Sequence, residues 1–78
     1  MLDDMIEIGK YYACTGDTSG DHYILRLDYR AIGGYYPFAG LGYVPADKNL
    51  QKCCFHRCEI IREANDYEKK LFLLASIA

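Results

Sequence analysis

Apolar and polar residues alternate most regularly between residues 21 and 30, Asp-His-Tyr-Ile-Leu-Arg-Leu-Asp-Tyr-Arg. Tyr23, Leu25, Leu27 and Tyr29 share one face at a period of two, and His22, Ile24, Arg26, Asp28 and Arg30 share the other. That period belongs to a β-strand. Ile6 to Cys14 reads as a second strand, with Tyr11 and Ala13 on one face. Between them lies Gly16-Asp17-Thr18-Ser19-Gly20, a turn composition whose glycines accept positive φ. The two strands predict an antiparallel hairpin. Charge favours the register with Lys10 opposite Asp28, because a slip that sets Lys10 opposite Arg26 brings like charges face to face.

Residues 33–45 break the alternation. They hold four glycines and both prolines of the chain, which excludes regular helix and disfavours a long central strand. A short edge strand near Leu41–Val44 fits. Pro45 and Asp47 then look like a helix start, with Asp47 as the N-cap. From there Leu50, Cys53, Cys54, Cys58, Ile61 and Ala64 recur at helical spacing, which predicts a helix over 48–64. The competing reading is a strand with Cys54, His56, Cys58 and Ile60 alternating on one face; length favours the helix. Asn65 and Asp66 mark a break. Tyr67, Leu71, Phe72, Ala75 and Ala78 resume the helical stripe over 67–78, against a competing buried strand over 70–77.

These elements predict an α+β fold: a small antiparallel sheet, made of the N-terminal hairpin and a third strand, packed on C-terminal helical structure. Tyr11, Ala13, Tyr23, Leu25 and Leu27 are expected to face Leu50, Cys54, Ile61 and Leu71. The alternative is a small all-β barrel, should residues 53–62 and 70–77 be strands. Seventy-eight residues make a single compact domain, 1–78. A core of that size supplies only about 3–5 kcal/mol of net stability. The composition, 51% hydrophobic and 26% charged, argues against disorder. No run of 18 apolar residues is present to span a membrane. The acidic start is no secretory leader, and a cytoplasmic, reducing location is expected.

The net charge of −2 is small and unevenly spread: residues 31–46 carry no charge at all. An acidic chain without a basic stripe is a poor partner for duplex nucleic acid, where phosphate neutralisation supplies most of the affinity.

Cys14, Cys54, Cys58 and His22 are a conceivable zinc set, which would make the chain a metal-stapled structural domain. There is no Cys-x-x-Cys knuckle, and free cysteines ordinarily behave as small buried apolar residues. Reduced, mostly buried thiols and no cofactor are therefore the expectation. Cys53 and His56 could touch on a helix, but no orienting group accompanies them; His56 reads as a surface histidine. Asp17, Ser19 and Asp21 alternate like calcium ligands, yet the sixth-position glycine and the distal glutamate are missing. Gly40-Leu41-Gly42 is not a nucleotide loop. Nothing here assembles an enzyme.

The distinctive chemistry is aromatic. The chain has eight tyrosines and no tryptophan. Tyr35, Tyr36, Phe38, Leu41 and Tyr43 lie in the charge-free segment and are the candidate partner-binding anchors, since tyrosine gives large contact area at low entropic cost. The competing reading folds these rings over the sheet as a cover. A non-enzymatic protein-binding module, acting on a protein partner as an inhibitor of a larger protein or complex, is the leading expectation. A single-stranded nucleic-acid binder stacking bases on tyrosines ranks lower, and a homodimer stays open. In size and lack of catalytic equipment, not in any motif, the chain is similar to compact phage-encoded inhibitors of host defence.

Overall fold

A computed structural model of the chain describes residues 6–15, 22–31 and 33–77. Five strands and one α-helix make an α+β fold. The strands are β1 (Tyr11–Thr15), β2 (His22–Arg30), β3 (Phe38–Val44), β4 (Asn49–Phe55) and β5 (Ile60–Glu63), and the helix is α1 (Asp66–Ile77). The sheet is antiparallel and open, in the order β4-β3-β2-β1-β5. It is not the all-β barrel of the alternative reading, because residues 66–77 are helical. The predicted turn 16–20, and with it Asp17, Ser19 and Asp21, lies outside the described residues.

The hairpin β1–β2 forms, but one residue out of the charge-based register. Tyr12 opposes Leu25 and Cys14 opposes Tyr23, while the Leu27 N–H donates to the Lys10 carbonyl at 3.0 Å. Lys10 therefore faces Leu27, not Asp28. Burial decides this. A one-residue slip would turn Tyr12 and Cys14, both fully buried, to the opposite face, and exposed charge pairs are too weak to compensate. Asp28 instead holds Arg26 on its own strand at 2.9 Å, and Lys10 lies 3.6 Å from Glu7 and 3.5 Å from Glu63.

The strand expected at Leu41–Val44 is longer than that and is not an edge. As β3 it lies between β2 and β4, and its glycines are what admit it there. A methyl group at Gly40 would fall on the carbonyl oxygen of Arg26, and one at Gly42 would lie 2.7 Å from the Cys53 sulfur. The helix expected over 48–64 is absent. Pro45 to Lys48 turn the chain instead, with the Asp47 N–H donating to the Val44 carbonyl at 3.2 Å and Lys48 at φ 54°. Asp47 is thus a turn residue, not a helix cap. Residues 49–55 then pair along the whole of β3. A helix here would leave the backbone groups on that side of the largely buried β3 without partners. After a 3₁₀ turn at Arg57–Glu59, β5 adds to β1 at the far edge.

Both faces of the sheet are covered. The inner face holds Ile6, Tyr12, Cys14, Leu25, Leu27, Phe38, Phe55 and Ile60, with Tyr23 and Cys53 packed against them. Only residues 56–59 separate the two edge strands in sequence, so the sheet curls to let its edges be joined. The outer face carries Ile24, Tyr43 and Ala64, and Phe72 of α1 seals it, with Tyr11, Leu41, Leu50 and Leu71 around it. Tyr11 thus shares the outer cluster with Leu50 and Leu71 as expected, whereas Tyr23, Leu25 and Leu27 lie on the other face. Cys54 and Ile61, expected in the core, are exposed. The Tyr11 ring meets Phe72 edge-on at 5.1 Å.

Asn65 starts α1 through a reciprocal capping box. Its Oδ1 accepts the Glu68 N–H at 2.8 Å, and Glu68 Oε1 accepts the Asn65 N–H at 2.9 Å. The same carboxylate takes both terminal nitrogens of Arg62, at 2.6 and 3.1 Å, which ties the helix start to β5. Tyr67, Leu73, Leu74 and Ile77 remain exposed on the outer side of α1. No described helix is long and apolar enough to cross a membrane.

Two outcomes follow for stability. Gly40→Ala should lower it by about 1–3 kcal/mol or more in urea unfolding, as overpacking does. Gly34→Ala, whose added methyl would meet only the Ala31 side chain at 3.8 Å, should stay within about 0.5 kcal/mol of the parent. The Arg62 guanidinium holds the Glu68 carboxyl below its ordinary value of 4.5. Glu68 therefore contributes stability that is fully present above its unfolded-state value and is lost as pH falls through the lower folded one. Glu68→Gln should be less stable than the parent above the unfolded-state carboxyl value and converge on it as the pH falls below the depressed folded-state one, as urea unfolding across acid pH would show.

Candidate functional site

The connection between β2 and β3 places two tyrosines in solvent. The Ala31 N–H donates to the Pro37 carbonyl at 2.8 Å and closes the loop at its base. Gly33, at φ 79°, makes the turn that a side chain would resist. Tyr35 and Tyr36 follow, 72% and 48% exposed. Their rings meet edge to face at 4.8 Å, an arrangement worth about 0.5–1.5 kcal/mol beyond area burial.

Tyr35 also rests on the ring of His56, 5.0 Å centroid to centroid. His56 opens the 3₁₀ turn between β4 and β5 and is locked there. Its N–H donates to Glu59 Oε1 at 2.7 Å, and its Nδ1 accepts the Cys58 N–H at 3.2 Å. The Cys58 sulfur lies 3.1 Å from the same Nδ1. Thr15 at the end of β1 donates its hydroxyl to the Glu59 carbonyl at 3.4 Å, which fixes the turn to the sheet.

Behind Tyr36 a cavity of about 320 Å³ opens between the inner face and this turn, lined by Tyr23, Tyr36, Gln51, Cys53, Cys54, Phe55 and Glu59. Tyr23 and Phe55 form its floor, in edge contact at 5.5 Å. They sit on β2 and β4 and meet because Gly40 and Gly42 leave nothing between them on β3. Cys53 donates its thiol to the Gln51 carbonyl at 3.5 Å, and burial raises its pKa.

Of the five expected anchors, the structure brings Tyr35 and Tyr36 together at this rim. Phe38 and Tyr43 are buried, 1% and 7% exposed, on the inner and outer faces respectively. Arg30 covers the Phe38 ring at 4.7 Å. Leu41 is half-buried beside the helix cluster. The alternative zinc set of Cys14, Cys54, Cys58 and His22 is not assembled among the described residues. Cys14 is buried on the inner face, where desolvation pushes its thiol up to about 12. Cys54 and Cys58 are exposed, so the cysteines are not mostly buried. Among the described residues no three metal-binding side chains converge. His56, Cys58, Glu59, Tyr23 and Phe55 were not anticipated at this site. The alternation Cys54, His56, Cys58, read as strand, was the signal for part of it. The Cys53–His56 contact imagined on a helix is replaced by His56–Cys58.

No family model, no curated protein and no solved structure matches the chain.

Urea unfolding separates the two kinds of aromatic residue. Phe38→Ala should cost about 3–5 kcal/mol, as large-to-small core changes do, and Tyr43→Ala should cost a similar amount. Tyr35→Ala and Tyr36→Ala should cost about 1 kcal/mol or less.

Proposed function

We propose that the chain is a small non-enzymatic protein-binding module whose contact surface is the rim formed by Tyr35 and Tyr36, with an apolar side chain of the partner entering the cavity behind Tyr36. The observation that carries this reading is the pairing of two exposed, mutually packed tyrosines with a concave apolar site. Exposed rings at a pocket mouth are what interface anchors look like, because they bury large area at small entropic cost. The loop that bears them is closed at its base, so little further ordering is needed on binding. A volume of about 320 Å³ accommodates a leucine- or phenylalanine-sized group. Phe38 packs in the inner core and Leu41 and Tyr43 in the cluster beside α1, so this reading leaves all three out of the contact surface.

Inhibition of a larger protein is the finer form of this proposal, since a domain of this size acts most directly by occupying a partner's surface. Four free cysteines support a cytoplasmic, reducing setting.

Affinity capture from the source cell with the wild-type chain, a Tyr35→Ala/Tyr36→Ala variant and a Tyr67→Ala variant tests the proposal. Tyr67 is 70% exposed on α1, away from the rim. The expected result is a partner held by the wild type and by Tyr67→Ala but weakened at least about tenfold, 1.4 kcal/mol, by the double change. Equal affinity of all three forms for that partner would overturn it.

A further inference from the structure

The pair His56 and Cys58 stands apart from the partner-binding surface in its chemistry. Three features set it up. The thiol of Cys58 is exposed, so an incoming reagent can reach it. The imidazole is not free to turn away: Tyr35 lies against the ring, and Nδ1 accepts the Cys58 backbone N–H at 3.2 Å. That bond also places the ring proton on Nε2, because a nitrogen that accepts is not the one that carries the hydrogen. The Cys58 sulfur lies 3.1 Å from the same nitrogen, so the thiol and the backbone N–H share its one lone pair. A thiol and a base held in contact, with the base oriented by further groups, are the geometry of an activated sulfur nucleophile.

We propose that Cys58 is a nucleophilic thiol, with His56 as its base, that takes up disulfides by thiol–disulfide exchange. Nδ1 exchanges the backbone N–H for the thiol proton as the Cys58 sulfur attacks one sulfur of the incoming disulfide. The incoming S–S bond breaks, and Cys58 retains one half as a mixed disulfide. The other half leaves as a thiolate, recovers the proton from the imidazolium and departs as a thiol. The disulfide is the oxidant, and one thiol is consumed for each thiol released. This inference does not rest on the partner-binding reading: the rim can bind a protein whether or not Cys58 reacts, and the sulfur can react with no partner present.

The chain carries its own control. Cys54 is also exposed, but among the described residues it is Cys58, not Cys54, whose sulfur meets an imidazole. Cys14 is buried and should not react while the protein is folded. The experiment incubates the reduced wild-type chain with oxidised glutathione, quenches with acid at intervals and follows each cysteine by peptide mass spectrometry. Cys58 should acquire glutathione about tenfold or more faster than Cys54, a threshold set beneath the roughly hundredfold or more that a positioned base contributes. His56→Asn keeps a side chain able to cap the turn but removes the base; in that variant the Cys58 rate should fall to that of Cys54. Equal rates at Cys54 and Cys58 in the wild type would overturn the proposal, as would an Asn variant that reacts as fast as the wild type. The wild-type comparison decides the matter even if the variant does not fold.

Discussion

Between Leu25 and Leu27 on one side and Gln51 and Cys53 on the other, the middle of β3 presents only Gly40 and Gly42 to the inner face. Over this stretch β3 offers no side chain on that face, and those of its neighbours close over it. That is why Tyr23 of β2 and Phe55 of β4 touch across an intervening strand. Bending at this line brings the two sheet edges near enough for four residues to join them. The cavity is what remains of the space. A side chain at Gly40 would collide with the backbone of β2, and backbone cannot step aside as a side-chain tip can.

The rim inherits its order from that curl. The 3₁₀ turn is short but held at several points: His56 and Glu59 cap each other, and Thr15 holds the turn from the first strand. Tyr35 then reaches it from the β2–β3 loop, so the rim is built from chain segments about twenty residues apart. Rigid placement of exposed rings and of a thiol therefore comes from neighbouring loops that brace one another, rather than from a deep core.

The sequence made some of this legible. The strand at 21–30 stood out because its neighbours demand both of its faces in alternation, and the Asn65 break marked the start of α1 because capping chemistry is local. The segment 48–64 was misread because Leu50, Cys53, Cys54 and Ile61 satisfy helical spacing by coincidence: Cys54 and Ile61 are exposed, so half of the apparent stripe has no burial behind it. What turned it into strand is the open side of β3, a demand made by residues elsewhere in the chain. The register of β1 failed for a similar reason. Surface charge was weighed where the buried Tyr12 and Cys14 decide. At the site, the exposed tyrosines were visible as composition, whereas the contact of His56 with Tyr35 depends on a curl that no local pattern encodes.

The pairing of β5 with β1 has a consequence for how the molecule comes into being. Strands β1 to β4 follow one another as neighbours and can zip sequentially, but Glu63 must find Tyr12 across nearly the whole chain. Contacts of such long sequence separation carry the largest loop-closure cost and slow folding. The turn bearing His56 and Cys58 lies immediately before β5, so its final position is set only when that closure occurs. During synthesis the growing chain can hold its meander while still lacking the completed rim, which forms only once β5 has emerged and paired with β1. The proposed contact surface is in this way withheld until β5 closes on β1.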